Sequence, residues 1–267
     1  MALPIVYSIK AIEQQFNTGE EPVLVYCSDM NAYICKYMRS SLSAYKLACE
    51  LIGRQMAKAW LLETPETAFV TIRAGHWSGR FVQHNLSAPA LGCRRLEHVV
   101  DITPSTFSLV KQSDNVMRQL LKIALFDFWI ANEDRNSNNA NLLYDVVENR
   151  LVSIDYGCIL NTATFEYPMS QLTSTDTILC SDLFQHIQDG MSQQMIYKLV
   201  ESLEDDYNKS FARAGKQVDE ILGCMPNGWH VPTSVIESKL SQLFDKGWTS
   251  AVWDNFMECL KKVVRLR

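Results

Sequence analysis

Several common signatures are missing from this sequence of 267 residues. Its eight cysteines form no Cys-x-x-Cys pair, so neither a zinc site of that kind nor a disulfide framework is predicted. No uncharged apolar run approaches the ~18 residues of a membrane span, and residues 1–7 lack the basic start and long apolar stretch of a signal peptide. There is no Lys/Arg block, and the net charge is -5, which argues against direct nucleic-acid binding. We therefore expect a cytoplasmic protein with no membrane partner.

Two regions of different pattern follow each other along the chain. Apolar residues make up 47% of the sequence and aromatic residues 10%, which is enough for a sizeable folded core. The first region predicts a small antiparallel sheet with one helix, because β-rich runs alternate with turns and one run has apolar residues at helical spacing. Its predicted elements are strands at 22–27, 32–37 and 67–72, a polar turn at 28–31 and a helix over 44–60.

The second region is mainly helical. Apolar residues at helical spacing predict a helix that Ser113 or Asp114 caps and that runs to Ala131. A short hairpin over 141–155 interrupts the helical pattern. Further helices are predicted over 192–214, 216–222, 234–246 with a Ser234/Glu237 capping box, and 249–264.

The two patterns together predict an α+β fold of two lobes. The smaller N-terminal lobe, residues 1–75, is an antiparallel β lobe with one helix. The larger C-terminal lobe, residues 76–267, is mainly helical. Residues 75–92, at the start of the second lobe, have the composition of a loop.

The densest polar cluster, residues 131–143, directly follows the first helix of the second lobe and reads ANEDRNSNNANLL. A hairpin that turns about Glu148 places position 141 opposite Asp155, to within a residue or two. Asn139 and Asp155 are therefore expected side by side at the open end of the hairpin, with Asp134 in the preceding loop. The sequence predicts that two carboxylates and an amide oxygen meet there.

These residue types favour phosphoryl transfer. Mg²⁺ prefers oxygen ligands and takes one or two protein carboxylates, while a separate carboxylate can orient and deprotonate an accepting hydroxyl. The remaining requirement is a cation for the phosphates of ATP, held by a carboxylate on a helix. Lys36 on the second strand and Glu50 on the following helix have the residue types and the order that a kinase needs.

The segment DFWIANEDRNSNNANLL, followed by LVSIDYG, resembles the catalytic core of the HipA-like kinase family. The resemblance covers residues 20–190 and implies a bilobal protein-kinase-like fold, ATP with Mg²⁺ as cofactors, and Ser/Thr phosphorylation of a protein substrate. Some members of this family are toxins, so the resemblance also implies a toxin role with a separate HipB-type antitoxin as partner. By position, Asp134 matches the catalytic aspartate, Asn139 and Asp155 the metal ligands, Lys36 the phosphate-binding lysine and Glu50 its ion-pair partner.

The chain departs from the family pattern at three places. Asn136 stands where the family loop has histidine, and Tyr156 is the middle residue of the Asp-x-Gly triplet. The turn at 28–31 has no glycine, so the amides that cover the phosphates must come from this turn or from another loop. A small-molecule phosphotransferase, and a pseudokinase that acts as a binding module, remain the alternative functions.

Overall fold

The first lobe is built on a six-stranded sheet with one long helix. The computed structural model describes residues 3–77, 87–161, 165 and 167–264. The elements of this lobe are β1 Ile5–Tyr7, β2 Gln14–Gln15, β3 Val23–Tyr26, β4 Ala32–Lys36, α1 Ser41–Ala59, β5 Thr67–Thr71 and β6 Ala90–Arg94. The sheet order is β1-β5-β6-β4-β3-β2, in which β1 and β5 are parallel and the other neighbours antiparallel.

Helix α1 crosses from the sheet to the second lobe. It begins with a capping box, in which the Ser40 hydroxyl accepts from Ser43 N while the Ser43 hydroxyl accepts from Ser40 N. Its apolar residues join the large core that continues into the second lobe. Trp60, directly after the helix, stacks on Trp129 with ring centroids 5.1 Å apart. The helix that carries Glu50 is therefore packed against both lobes.

The second lobe combines a three-stranded sheet with helices. The elements are β7 Val99–Asp101, α2 Asp114–Ile130, β8 Leu142–Asp145, β9 Arg150–Ser153, α3 Asp182–Gln188, α4 Gln193–Gly215, α5 Val218–Gly223, α6 Thr233–Leu243 and α7 Lys246–Val263. The sheet order is β7-β8-β9, with both pairs antiparallel. Helix α2 is buried along most of its length and forms the centre of the lobe.

The structure confirms the α+β class with a β-sheet lobe followed by a mainly helical one. The first sheet nevertheless continues past residue 75, where the sequence placed the division, because β6 pairs with β4 and β5. Residues 75–92 were predicted as a loop, and Ala90–Arg94 is instead a strand; residues 78–86 lie outside the described residues. The run ALGCR lacks the alternation that predicts a half-buried strand.

Two local expectations differ from the structure in detail. The hairpin pairs Leu142 with Ser153, one residue off the register expected from a turn at Glu148. The predicted capping box of α6 is absent, since the helix begins after Pro232 without a side-chain cap. The next helix, α7, does have a side-chain cap, because Asp245 accepts hydrogen bonds from Gly247 N and Trp248 N.

None of the helices in the described ranges combines the length and the apolar character needed to span a membrane. None of the eight cysteines, all of which lie in the described ranges, is part of a disulfide.

Candidate active site

Lys36 lies at the centre of an acidic cluster between the two lobes. Strand β4 ends at this residue, and its Nζ is 3.0 Å from Glu50 Oε2 on α1. The same Nζ is 2.7 Å from Asp155 Oδ1, just beyond β9. Glu20, from the segment between β2 and β3, places Oε2 3.5 Å away. The lysine side chain is only 13% exposed, so these carboxylates hold it charged in a partly buried position.

Glu50 is fully buried and has a partner on each side. Arg54, one turn later on α1, approaches its Oε1 to 2.6 Å, while Tyr156 N donates to its Oε2 at 2.8 Å. Burial opposes the ionisation of Glu50, but the charges of Lys36 and Arg54 outweigh it and lower its pKa to about 2. Glu50 is therefore an ionised anchor for Lys36 and for the backbone next to Asp155.

Asp155 has a backbone conformation that few residue types tolerate. Its φ of 57° lies in the left-handed region, where Asp is one of the more acceptable side chains. Its Oδ1 contacts Lys36 and accepts from Gly157 N at 3.3 Å, and 37% of the side chain remains exposed. Burial and the nearby charges of Glu50 and Glu20 raise the pKa of Asp155, although Lys36 opposes the shift. A further positive charge next to this carboxylate would be stabilising.

Tyr156 can occupy its buried position because the residue of α1 that faces it, Gly53, has no side chain. A Cβ added to Gly53 would lie 2.3 Å from Tyr156 Cβ, which is far inside van der Waals contact. The absence of a side chain at this position allows α1 and the segment after β9 to approach closely. This contact brings Glu50 within hydrogen-bond distance of Tyr156 N.

Asp134 is oriented by two asparagines of its own loop. Asn139 Nδ2 donates to Asp134 Oδ2 at 3.2 Å, and Asn141 Nδ2 donates to the same oxygen at 2.9 Å. The carbonyl of Asn141 accepts from Ile154 N at 3.1 Å, which ties the loop to the residue before Asp155. Asn141 is therefore a site residue that the sequence reasoning did not single out, although its position opposite 155 in the predicted hairpin was a usable signal.

A second buried ion pair, between Arg135 and Asp127, connects the loop that carries Asp134 to α2. Arg135 binds Asp127 on α2, donates to Ile154 O at 2.9 Å, and lies 5.0 Å from the centre of the Tyr156 ring. Asn132 Nδ2 donates to Asp127 at 2.9 Å. Burial raises the pKa of Asp127 even though Arg135 and the hydrogen bonds oppose it. The pair joins α2 to the residues on both sides of Asp155.

One cleft of about 710 Å³ contains most of the predicted site residues. Lys36, Asp134, Asn139 and Asp155 all line it, together with Asn141, whereas Glu50 lies behind Lys36. The structure therefore brings the five predicted residues to one place. Their catalytic roles stay predictions.

Residues 16–22, between β2 and β3, form part of the wall of the cleft, and we call them the cover segment. Phe16, Thr18, Gly19 and Pro22 line the cleft, whereas no residue of the turn at 28–31 does. The sequence left two sources open for the backbone amides that cover the phosphates, the turn at 28–31 or another loop. The loop that lies at the cleft is the cover segment. Gly19 has open space around its Cα. The sequence reasoning missed this segment because β2 is only two residues long and leaves no periodic signal.

The donor set suits a magnesium ion, although the described residues contain no group of three or more His, Cys, Asp and Glu side chains arranged for a metal. Mg²⁺ needs only one or two protein carboxylates when water and phosphate oxygens complete its octahedron. Asn139 donates a hydrogen bond through Nδ2, so its side-chain carbonyl oxygen remains available as a ligand. Asp155 contacts Lys36 through Oδ1, which leaves Oδ2 as its ligand atom. These two residues would hold the ion.

The β lobe, the helical lobe and the Lys36 cluster around one cleft define a protein with a kinase fold. A family model described as HipA-like kinase matches residues 9–247, and the chain belongs to this family. The chain is similar to the crystal structure of a Helicobacter pylori proinflammatory kinase, CtkA, with a TM-score of 0.51 and 14% identity over 97% of this chain and 99% of that chain.

The FAT and kinase domain of CtTel1 aligns with 95% of this chain and 21% of that chain, at 11% identity. The TM-score of this alignment is 0.31. A comparison with curated proteins gave no match.

Proposed function

We propose that this protein is an ATP- and Mg²⁺-dependent serine/threonine protein kinase of the HipA-like type. The observation that supports this most is the contact of Lys36 Nζ with both Glu50 and Asp155, in the cleft that Asp134 and Asn139 also line. A phosphotransferase needs a fixed cation, metal ligands and a hydroxyl-orienting carboxylate in one place. These residues supply all three.

In the proposed reaction, Lys36 binds the α- and β-phosphates while Glu50 holds its ammonium in position. Asn139 and Asp155 would hold Mg²⁺, whose charge would offset the negative phosphate oxygens. Asp134 accepts a hydrogen bond from the substrate hydroxyl and takes its proton as the hydroxyl oxygen bonds to the γ-phosphorus and the bond from that phosphorus to the leaving ADP breaks. Asn139 and Asn141 both donate to Oδ2 of Asp134, and no donor in the described part of the chain contacts Oδ1, which therefore faces the hydroxyl in our proposal.

The test is transfer of label from γ-labelled ATP to proteins of a cell lysate, with Mg²⁺ present. We expect Asp134→Asn to lower the transfer about 100-fold or more, because it removes the proton acceptor without changing the shape of the side chain. Asp155→Asn should lower it to a similar degree. The matched control is Asp219→Asn on the exposed surface of α5, which should transfer label like the wild type.

Equal labelling by the wild type and both site variants would contradict the catalytic proposal. Label on metabolites but not on proteins would indicate a small-molecule phosphotransferase. A thermal shift with ATP but no transfer would indicate a pseudokinase.

We further propose a cytoplasmic toxin whose partner is a separate HipB-type antitoxin. Membership of the HipA-like family and the free cysteines support this. Expression of the wild type should slow the growth of a host cell, expression of Asp134→Asn should not, and co-expression of a small DNA-binding protein from a neighbouring gene should restore growth. Equal growth with wild type and Asp134→Asn would contradict the toxin role.

A further inference from the structure

Glu20 of the cover segment lies between two lysines. Its Oε1 is 2.9 Å from Lys46 Nζ, and its Oε2 is 3.5 Å from Lys36 Nζ. Lys46 is on α1, one turn before Glu50, and 30% of its side chain is exposed. The cover segment therefore places a negative charge between Lys36, which lines the cleft, and Lys46 of α1.

The neutralisation of Lys36 does not require Glu20. Lys36 already contacts Glu50 and Asp155 at shorter distances, whereas Glu20 is the salt-bridge partner that the described residues offer Lys46. Burial opposes the charge on Lys46, but the hydrogen bond and charge of Glu20 raise its pKa above the ordinary value. Glu20 is the carboxylate that Lys36 and Lys46 have in common, and its position between the two ammonium groups is one that another anion can occupy.

A carboxylate in this position resembles a phosphoryl group in charge and in its accepting oxygens. We propose that Glu20 holds the position of a nucleotide phosphoryl group, and that Lys46 is a second phosphate-binding cation. Binding of the polyphosphate displaces Glu20, so the cover segment competes with ATP for Lys36 and Lys46. This inference rests on the proposed function in that the polyphosphate is taken to be that of ATP.

The competition is tested by calorimetric titration with ATP, inorganic tripolyphosphate and adenosine. Glu20→Gln should tighten the binding of ATP and of tripolyphosphate about fivefold, which is the ratio expected for the loss of one competing ion pair. Adenosine, which has no phosphate, should bind equally to both proteins. The control Glu21→Gln changes the charge of the next residue, which pairs with Arg39, and should leave all three affinities within twofold of the wild type.

The role of Lys46 is tested in the Glu20→Gln background, where the carboxylate no longer masks it. Adding Lys46→Gln should weaken ATP and tripolyphosphate binding about fivefold and leave adenosine binding unchanged. Lys58→Gln, on the exposed face of the last turn of α1, is the control for loss of a lysine from this helix. Circular dichroism checks that each variant is folded.

Equal affinities of Glu20→Gln and Glu21→Gln for tripolyphosphate would overturn the inference, as would a failure of every variant to bind it. If Glu20→Gln binds tripolyphosphate more tightly but the wild type transfers no label from ATP, the inference holds and the proposed function fails. If the wild type transfers label and Glu20→Gln leaves the affinities unchanged, the proposed function holds and the inference fails.

Discussion

Asp155 lies between two buried ion pairs whose carboxylates have pKa values shifted in opposite directions. On the side of the first lobe, Glu50 has two cationic partners, Lys36 and Arg54, and its pKa is lowered to about 2. On the side of α2, Asp127 has one cationic partner, Arg135, and its pKa is raised. No donor in the described part of the chain contacts Asp127 Oδ2. The number of cations and donors around the carboxylate decides whether burial is overcome.

Both pairs reach the backbone on either side of Asp155. Glu50 accepts from Tyr156 N, and Arg135 donates to Ile154 O. Asp155 itself has positive φ, which these two bonds help to maintain. We therefore expect Glu50 to contribute more to stability than Arg135, and Arg135 mainly to position the loop.

The largest effect is expected from Glu50→Ala. It leaves Arg54 buried without its carboxylate and removes the acceptor for Tyr156 N, so we expect the free energy of unfolding to fall by about 3–5 kcal/mol. Urea denaturation measures this, with Glu201→Ala on the exposed surface of α4 as the control. A loss no larger than that of the control would contradict the anchoring role of Glu50.

A smaller effect is expected from Arg135→Met, which removes the cation from Asp127. Because the pKa of Asp127 is already raised, this carboxyl can take up a proton when it loses its partner. We expect the free energy of unfolding to fall by about 1–3 kcal/mol, while label transfer from ATP falls by a larger factor than the loss of folded protein explains. A loss of stability greater than that of Glu50→Ala would contradict the expectation that Glu50 contributes more to stability than Arg135.

The pH dependence of stability should show the opposite signs of the two carboxylates. The stability that Glu50 contributes is present above its unfolded pKa and is lost as the pH falls through its lowered folded pKa, between about pH 5 and pH 2. The pKa of Asp127 is higher in the folded than in the unfolded protein, so its effect on the free energy of unfolding is the reverse. Asp127 destabilises the folded protein less as the pH falls.

Urea unfolding at pH 5, 4 and 3 tests this difference. Glu50→Gln should lose less stability than the wild type over this range, and Asp127→Asn should lose more, each by about 1 kcal/mol or less per pH unit. If the free energy of unfolding falls in parallel with pH for the two variants, the two carboxylates titrate alike and the predicted difference between them is wrong.

Most of the elements that carry the site could be predicted from the sequence. The pattern around Leu47 and Leu51 predicted α1, and the run from Met117 to Trp129 predicted α2, because a buried helical face repeats its apolar residues locally. The hairpin that carries Asp155 was also predicted, to within one residue of its register.

Other parts of the site left no local signal. The cover segment follows a strand of two residues, and β6 has no alternating pattern, so neither could be recognised from periodicity. Arg135 was part of the polar loop in the sequence, and only packing shows that it turns inward onto Asp127. A charged residue in a polar loop is normally solvated, which is why the sequence did not distinguish it.

The sequence by itself determined which residue types the site has and which elements carry them, because helical periodicity and motif spacing are properties of short segments. The tertiary structure alone decided which charges touch. Lys36 and Asp155 are 119 positions apart and meet at 2.7 Å, and Glu20 approaches both Lys36 and Lys46. These contacts depend on how α1 and the cover segment pack against the second lobe, and the balance of burial and charge that they create sets the pKa of each group.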